Sequence, residues 1–242
     1  MNIIITAGGT SEPIDNVRKI TNSSSGKLGS IIANKFLDLD TIDKIFYVCN
    51  KSAYLPTENK KLEIIYVKTV ENLQKTLKNL IKSQKIDVII HSMAVSDYTV
   101  QYVTTGQNLI NKLSNKSEVE IENILNSDEI KIQNDDKISS NLSDIYIKLV
   151  PTPKVISQIK KWDKDIFLVG FKLLSNVTKE TLIDVAKNLM QKNNCDVVVA
   201  NDIKDITATQ HKAYIITNNE IIKVNTKMEI AEKLCSLILS IF

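Results

Sequence analysis

Arginine is nearly missing from this chain: of 31 basic side chains among 242 residues, only Arg18 is an arginine. Lysine therefore carries the plain positive charge, and Arg18 is expected where a planar, two-pronged fork is needed, as for phosphate or carboxylate. Cysteine is also scarce. Cys49, Cys195 and Cys235 are odd in number, far apart and free of C-x-x-C spacing, which speaks against a disulfide framework and a zinc knuckle and leaves buried thiols. The two histidines, His91 and His211, are too few and too separated for a His-based metal site. No run approaches the roughly 18 apolar residues needed to span a bilayer, and Met1–Thr6 lacks the cationic flank of a secretory leader. The chain is expected to be soluble, unprocessed and cytoplasmic. Its net charge is +3 with the basic residues scattered, so neither a nucleic-acid nor a membrane footprint is evident and a small anionic ligand fits better.

Glycine is the most informative shortage. There are six, and five of them (Gly8, Gly9, Gly26, Gly29 and Gly170) fall in three short segments. Glycine is thus concentrated where backbone turns sharply or approaches a ligand.

The length suits one domain over 1–242, and the pattern along it is α/β. Ile3 to Thr6 is an apolar, β-branched run that breaks at Gly8-Gly9, a buried strand followed by a loop. A helix is expected from about Gly26 through Leu37, and strands at Lys44–Cys49, Leu62–Val67 and Ile86–His91, with a helix from about Val70 to Ser83 between the last two. A strand at Ile166–Lys172, a helix near Lys179–Gln191 and a strand at Asp196–Ala200 follow. Ala213–Thr217 and Ile221–Val224 flank Asn218-Asn219-Glu220 as a hairpin, and a helix from about Lys227 to Leu239 closes the chain. This rhythm predicts a doubly wound, Rossmann-like, mainly parallel sheet with an antiparallel edge hairpin. The segment from about 99 to 150 departs from it, being rich in Asn, Ser, Lys and Asp with short apolar patches. It reads as a flap or arm insertion, mobile and partly disordered without ligand.

Ligands of open α/β sheets collect beyond the carboxyl ends of the strands. After the first strand comes Gly8-Gly9-Thr10, then the only arginine, then Ser24-Ser25-Gly26 opening a helix whose free N–H groups suit a phosphate. Two glycine-marked loops and Arg18 in one linker point to an anion site, although neither the G-x-G-x-x-G nor the P-loop pattern is present. After His91, the small residues of Ser92-Met93-Ala94-Val95-Ser96 let a ligand lie against backbone, and Asp97 suits a metal or a ribose hydroxyl. Phe171 leaves a strand through Gly170 and could stack on a base or belong to the core. Asn201 and Asp202 end another strand and can reach ribose or phosphate.

Together these segments resemble the ordered motifs of phosphopantothenate–cysteine ligases. The resemblance runs over Gly8-Gly9-Thr10-x-Glu12-Pro13-Ile14-Asp15-x-Val17-Arg18, Thr21-Asn22-x-Ser24-x-Gly26 and Ala94-Val95-Ser96-Asp97-Tyr98. It continues through Lys137-Ile138-Ser139-Ser140, Pro153-Lys154-Val155-Ile156, Val169-Gly170-Phe171-Lys172 and Ala200-Asn201-Asp202. It implies coupling of 4′-phosphopantothenate to the amine of cysteine through an acyl-nucleotide, with CTP or ATP as co-substrate, magnesium as cofactor and a homodimer as the working form. By the same resemblance Asn22 holds the substrate carboxylate or the acyl-nucleotide. Arg18 grips the substrate phosphate across the dimer interface. Gly8, Gly9, Thr10, Ser24, Ser25 and Gly26 wrap nucleotide phosphates while Lys137 closes over them. Asp97 serves substrate and magnesium beside Ala94 and Val95, and Phe171, Asn201 and Asp202 serve the nucleotide. A separate decarboxylase is expected to act next in the pathway. Two other readings stay open from the residues alone: an NAD(P)-dependent oxidoreductase, which the sheet would permit, and a non-catalytic nucleotide-binding subunit.

Overall fold

The run Ile3-Ile4-Ile5 explains the central layer. Alternate side chains of a strand point to opposite faces. Ile3 and Ile5 enter one core and Ile4 the other, all fully buried. A strand apolar on both faces must be covered on both faces, as in parallel α/β sheets.

The computed structural model describes residues 1–132, 137–207 and 209–242. The strands are β1 (Asn2–Ala7), β2 (Ser11–Pro13), β3 (Lys19–Thr21), β4 (Lys44–Cys49), β5 (Leu62–Tyr66) and β6 (Val88–His91). They continue as β7 (Tyr98–Thr104), β8 (Tyr146–Pro151), β9 (Phe167–Leu174), β10 (Val197–Ile206), β11 (His211–Ile216) and β12 (Ile221–Val224). The helices are α1 (Lys27–Leu37), α2 (Val70–Ser83), α3 (Gly106–Leu113), α4 (Glu118–Asn126), α5 (Ile156–Trp162), α6 (Lys179–Asn193) and α7 (Lys227–Leu239). They form two compact units, one of residues 1–10, 23–95 and 154–242, the other of residues 11–22 and 96–153.

The larger unit holds an eight-stranded sheet in the order β12-β11-β10-β9-β6-β1-β4-β5. Pairing is parallel from β5 to β10 and antiparallel for β11 and β12. The parallel strands follow the 3-2-1-4-5-6 order of the Rossmann fold. Helices α1 and α7 cover one face through Ile32, Phe36, Ile230 and Leu234. Helices α2, α5 and α6 cover the other through Leu73, Leu77, Ile159, Leu182 and Met190. In α2 the fully buried Leu73 and Leu77 recur at helical spacing behind a capping box in which Thr69 and Asn72 exchange side-chain and backbone hydrogen bonds. Truncating either leucine would cost about 2–5 kcal/mol.

The smaller unit has secondary structure of its own, where the sequence reading expected a partly disordered flap. The ribbons β2–β3 and β7–β8 are antiparallel, and the Thr99 hydroxyl on β7 donates to Glu12 on β2 at 2.8 Å. Helix α4 starts from a capping box between Ser117 and Glu120, and α3 from the Thr105 side chain. These short polar helices begin from local hydrogen bonds rather than a wide apolar stripe, so hydrophobic periodicity does not reveal them. Tyr102, Val103, Ile130 and Ile138 are buried.

At the end of β6, His91 is buried and shares a 2.9 Å hydrogen bond with Thr6 Oγ1, which also accepts from Met93 N. Burial holds its pKa at about 4, against an ordinary 6.5. The unfolded chain therefore takes up a proton that the folded chain refuses, and stability falls as pH drops from about 6.5 towards 4. For this group the full loss is roughly 3 kcal/mol. In H91Q, urea unfolding should depend measurably less on pH in that window; an unchanged pH slope would show that His91 does not bear this load.

Candidate active site

Two left-handed glycines meet at the carboxyl end of β1. Gly8 has φ 79° and Gly26 has φ 72°, backbone that side-chain-bearing residues rarely adopt. A Cβ on Gly26 would lie 3.0 Å from Gly8 N and 3.0 Å from Ala53 Cβ, so the two turns pack backbone to backbone. The first turn is tied to the loop after β6: Ala94 N donates to Gly8 O at 2.8 Å and Thr10 N to Ala94 O at 3.1 Å. The second turn opens α1, with Gly26 as its N-cap and no side chain accepting its cap hydrogen bond. Ser24 and Ser25 are exposed beside it. Ser25 Oγ accepts only a long bond from Lys27 N, at 3.4 Å. The first N–H groups of a helix have no partner within it, so this end offers donors and a partial positive charge to an anion.

Gly29 seats α1. A Cβ there would stand 2.6 Å from Ala7 Cβ and 3.2 Å from Ser92 Oγ, so only glycine lets the helix press against the ends of β1 and β6. The third wall is the turn after β4. Ala53 N donates to Asn50 O at 3.1 Å, and Tyr54 N donates to Ser25 O at 2.9 Å. This cradle gathers Gly8, Gly9, Thr10, Ser24, Ser25, Gly26 and Ala94 at one rim of the larger unit.

Phe171 lies mid-strand in β9, and Asn201 and Asp202 lie mid-strand in β10, which runs on to Ile206 instead of ending at Ala200 as the sequence pattern suggested. Phe171 packs against the core on the α1 and α7 face. Asn201 is 7% and Asp202 2% exposed. Asp202 accepts from Asn176 N at 2.9 Å and Val177 N at 2.8 Å. Burial alone would raise its carboxyl, yet the N–H donors of Val177, Lys204 and Asn176 pull its pKa down to about 2. In this structure both its oxygens hold the turn after β9.

Arg18, Asn22, Asp97 and Lys137 belong to the smaller unit. Arg18 spends its fork on a carboxylate within the chain. Its Nε donates to Asp15 at 3.0 Å, its terminal nitrogen pairs with the same carboxylate at 2.9 Å and also donates to Ile138 O. The Asp15 side chain, fully enclosed, also accepts from Val17 N, Arg18 N and Ile138 N. The Arg18 N–H leads in holding its pKa near 2, against the opposing effect of burial, and the Val17 and Ile138 N–H groups and the guanidinium charge add to it. Sequence reading singled out Arg18 but missed Asp15; Asp-x-x-Arg spacing in a turn was the available signal. Lys137 is exposed next to the buried Ile138. Asp97 is exposed, and its carbonyl accepts from Thr152 N at 2.9 Å. Among the described residues no group of three or more His, Cys, Asp or Glu side chains is arranged to hold a metal ion, and no helix is long and apolar enough to cross a membrane.

A family model for the DNA/pantothenate metabolism flavoprotein C-terminal domain matches residues 1–131 and 123–241. The chain belongs to that family. The coenzyme A biosynthesis bifunctional protein CoaBC of Thermococcus kodakarensis is 30% identical over 234 residues, covering 96% of this chain and 49% of that protein. The protein of the same name from Methanocaldococcus jannaschii is 28% identical over 235 residues, with coverage of 96% and 49%. The chain thus spans about half the length of these relatives. The crystal structure of a DNA/pantothenate metabolism flavoprotein from Streptococcus pneumoniae matches over 100% of both chains, at 37% identity and a TM-score of 0.87.

Because one carboxylate anchors both the 15–18 turn and Ile138, D15N should loosen the two together by turning one acceptor into a donor among donors. Limited trypsin digestion read by mass spectrometry should then show faster cleavage after Arg18 and Lys137 than in the wild type. Equal rates at both positions would contradict the shared anchor.

Proposed function

We propose that the chain is a phosphopantothenate–cysteine ligase, coupling 4′-phosphopantothenate to the amine of cysteine through an acyl-nucleotide to give 4′-phosphopantothenoylcysteine in coenzyme A biosynthesis. The observation that carries this reading is the paired-glycine cradle at the start of α1, an anion seat at the carboxyl ends of the strands in a chain of this family.

A carboxylate does not acylate an amine at neutral pH, because its oxygen is a poor leaving group. In the first step a substrate carboxylate oxygen attacks the α-phosphorus of the triphosphate, an acyl–O–P bond forms and pyrophosphate leaves. In the second the cysteine nitrogen attacks the acyl carbon, the nucleoside monophosphate departs with the bonding electrons, and the amine loses a proton. No covalent nucleophile from the protein is needed, so positioning and charge stabilisation supply the catalysis.

Gly8, Gly9, Thr10, Ser24, Ser25 and Gly26 hold the phosphates in this reading, and Lys137 adds a cation to them. Asn22 holds the reacting carboxyl and then the acyl-nucleotide, and Ala94, Val95 and Asp97 serve the substrate. Arg18, steadied on one side by Asp15 and Ile138 O, turns the rest of its guanidinium to the substrate phosphate within a homodimer, and Phe171 and Asn201 position the nucleoside while Asp202 holds the turn after β9. Magnesium accompanies the triphosphate, held mainly by phosphate oxygens and water as this ion prefers. The triphosphate is CTP or ATP, with CTP favoured, and the setting is the cytoplasm.

With CTP and ATP supplied in turn, pyrophosphate should be released only when phosphopantothenate is present, and amide product should form only on adding cysteine. N22A should impair amide formation more than activation, so that acyl-nucleotide accumulates in quenched samples. Absence of pyrophosphate release with both triphosphates would refute the assignment, and full turnover by N22A would refute the role given to that residue.

A further inference from the structure

Asn50 takes no part in the assignments above, yet it stands at the cradle. Strand β4 lies parallel to β1 with Ala7 opposite Cys49, so Asn50 is the first residue beyond the carboxyl end of β4, alongside Gly8 beyond β1. Its Oδ1 lies so close over Gly8 that any Cβ there would overlap it. That oxygen is buried and has no hydrogen-bond partner among the described residues, while its Nδ2 donates to Ser52 Oγ at 3.1 Å.

A buried acceptor left unpaired costs about 1–3 kcal/mol and is uncommon in folded proteins. At a ligand cradle it marks a partner that arrives with the ligand. Carbonyl oxygens only accept, and phosphate oxygens only accept at neutral pH, so the missing partner is not the phosphate itself. The donor then belongs to the ligand near its phosphate, and in nucleotides and phosphopantothenate the donors fewest bonds from a phosphate are hydroxyls. In sheets of this strand order, the end of the strand beside β1 is where an acceptor side chain meets a ribose hydroxyl. The torsion that turns an asparagine amide is soft, and the side chain is only half-buried, so the oxygen can swing to the opening without moving the backbone.

We propose that Asn50 is a ligand-binding residue whose amide oxygen accepts a hydrogen bond from a hydroxyl of the molecule seated on the Gly8–Gly26 cradle. This rests on the ligase reading, which supplies two hydroxyl-bearing ligands: the ribose of the nucleotide and the pantoate portion of phosphopantothenate.

Calorimetric titration of wild type, N50A and N50D separates the sources. The probes are CTP and ATP, their 2′- and 3′-deoxy analogues, and phosphopantothenate. If the hydroxyl is on the ribose, wild type should prefer a ribonucleotide to one deoxy analogue by about tenfold. N50A should lose that preference, and N50D, which keeps the acceptor and the shape, should retain it. If the hydroxyl belongs to phosphopantothenate, deoxy discrimination should be the same in all three proteins and N50A alone should bind that acid about tenfold more weakly. Either pattern supports the inference. A folded N50A that matches wild type on every probe within about twofold would overturn it while leaving the ligase reading intact. A wild type that binds none of the probes would overturn both.

Discussion

The contact between Gly8 and Gly26 is the constraint on which the site depends. With one turn's backbone nitrogen 3.0 Å from where a Cβ of the other would stand, neither turn can carry a side chain at that point. Both also need positive φ. Bringing the turns together fixes where α1 begins, and hence where its unpaired N–H groups point. The rest of the larger unit serves that placement. Gly29 lets α1 lie against Ala7. The loop after β6 is stitched to the first turn through Ala94. The three buried isoleucines of β1 hold the strand beneath it in two cores at once.

In the smaller unit a single carboxylate plays the comparable part. Asp15 gathers the guanidinium of Arg18 and backbone donors from two distant stretches of chain, residues 17–18 and 138. A buried charge is tolerated only when its oxygens are met by donors and an opposite charge, and here both conditions hold. The arrangement pre-positions Arg18 and seats Ile138 next to Lys137. The network therefore fixes the Arg18 guanidinium, which would otherwise lose rotamer freedom on meeting an anion.

Much of this was legible in the sequence wherever one periodicity dominated. Strand β4 and helices α2 and α7 fall on the residues expected from their patterns, Lys44–Cys49, Val70–Ser83 and Lys227–Leu239. The hairpin of β11 and β12 appears around Asn218-Asn219-Glu220 as its turn residues require. The clustering of scarce glycine marks the two turns that meet at Gly8 and Gly26. Other elements escaped because their determinants are tertiary or very local. Strand β10 runs on to Ile206 through polar residues because β9 and β11 supply partners for its backbone. Helix α5 begins three residues after Pro153 and is too short for a period to register. The orphaned oxygen of Asn50 depends on a contact across β1 and β4 that no linear pattern contains.

The glycine cradle as the seat of the triphosphate is the claim on which the functional account stands or falls. Hydrogen–deuterium exchange tests it most directly, comparing the chain alone with the chain plus magnesium triphosphate and phosphopantothenate. The account predicts that slowed exchange concentrates in peptides covering residues 8–9 and 26–29, whose N–H groups would bind phosphate oxygens. Saturating ligand that protects other segments and leaves these two at their free rates would contradict it.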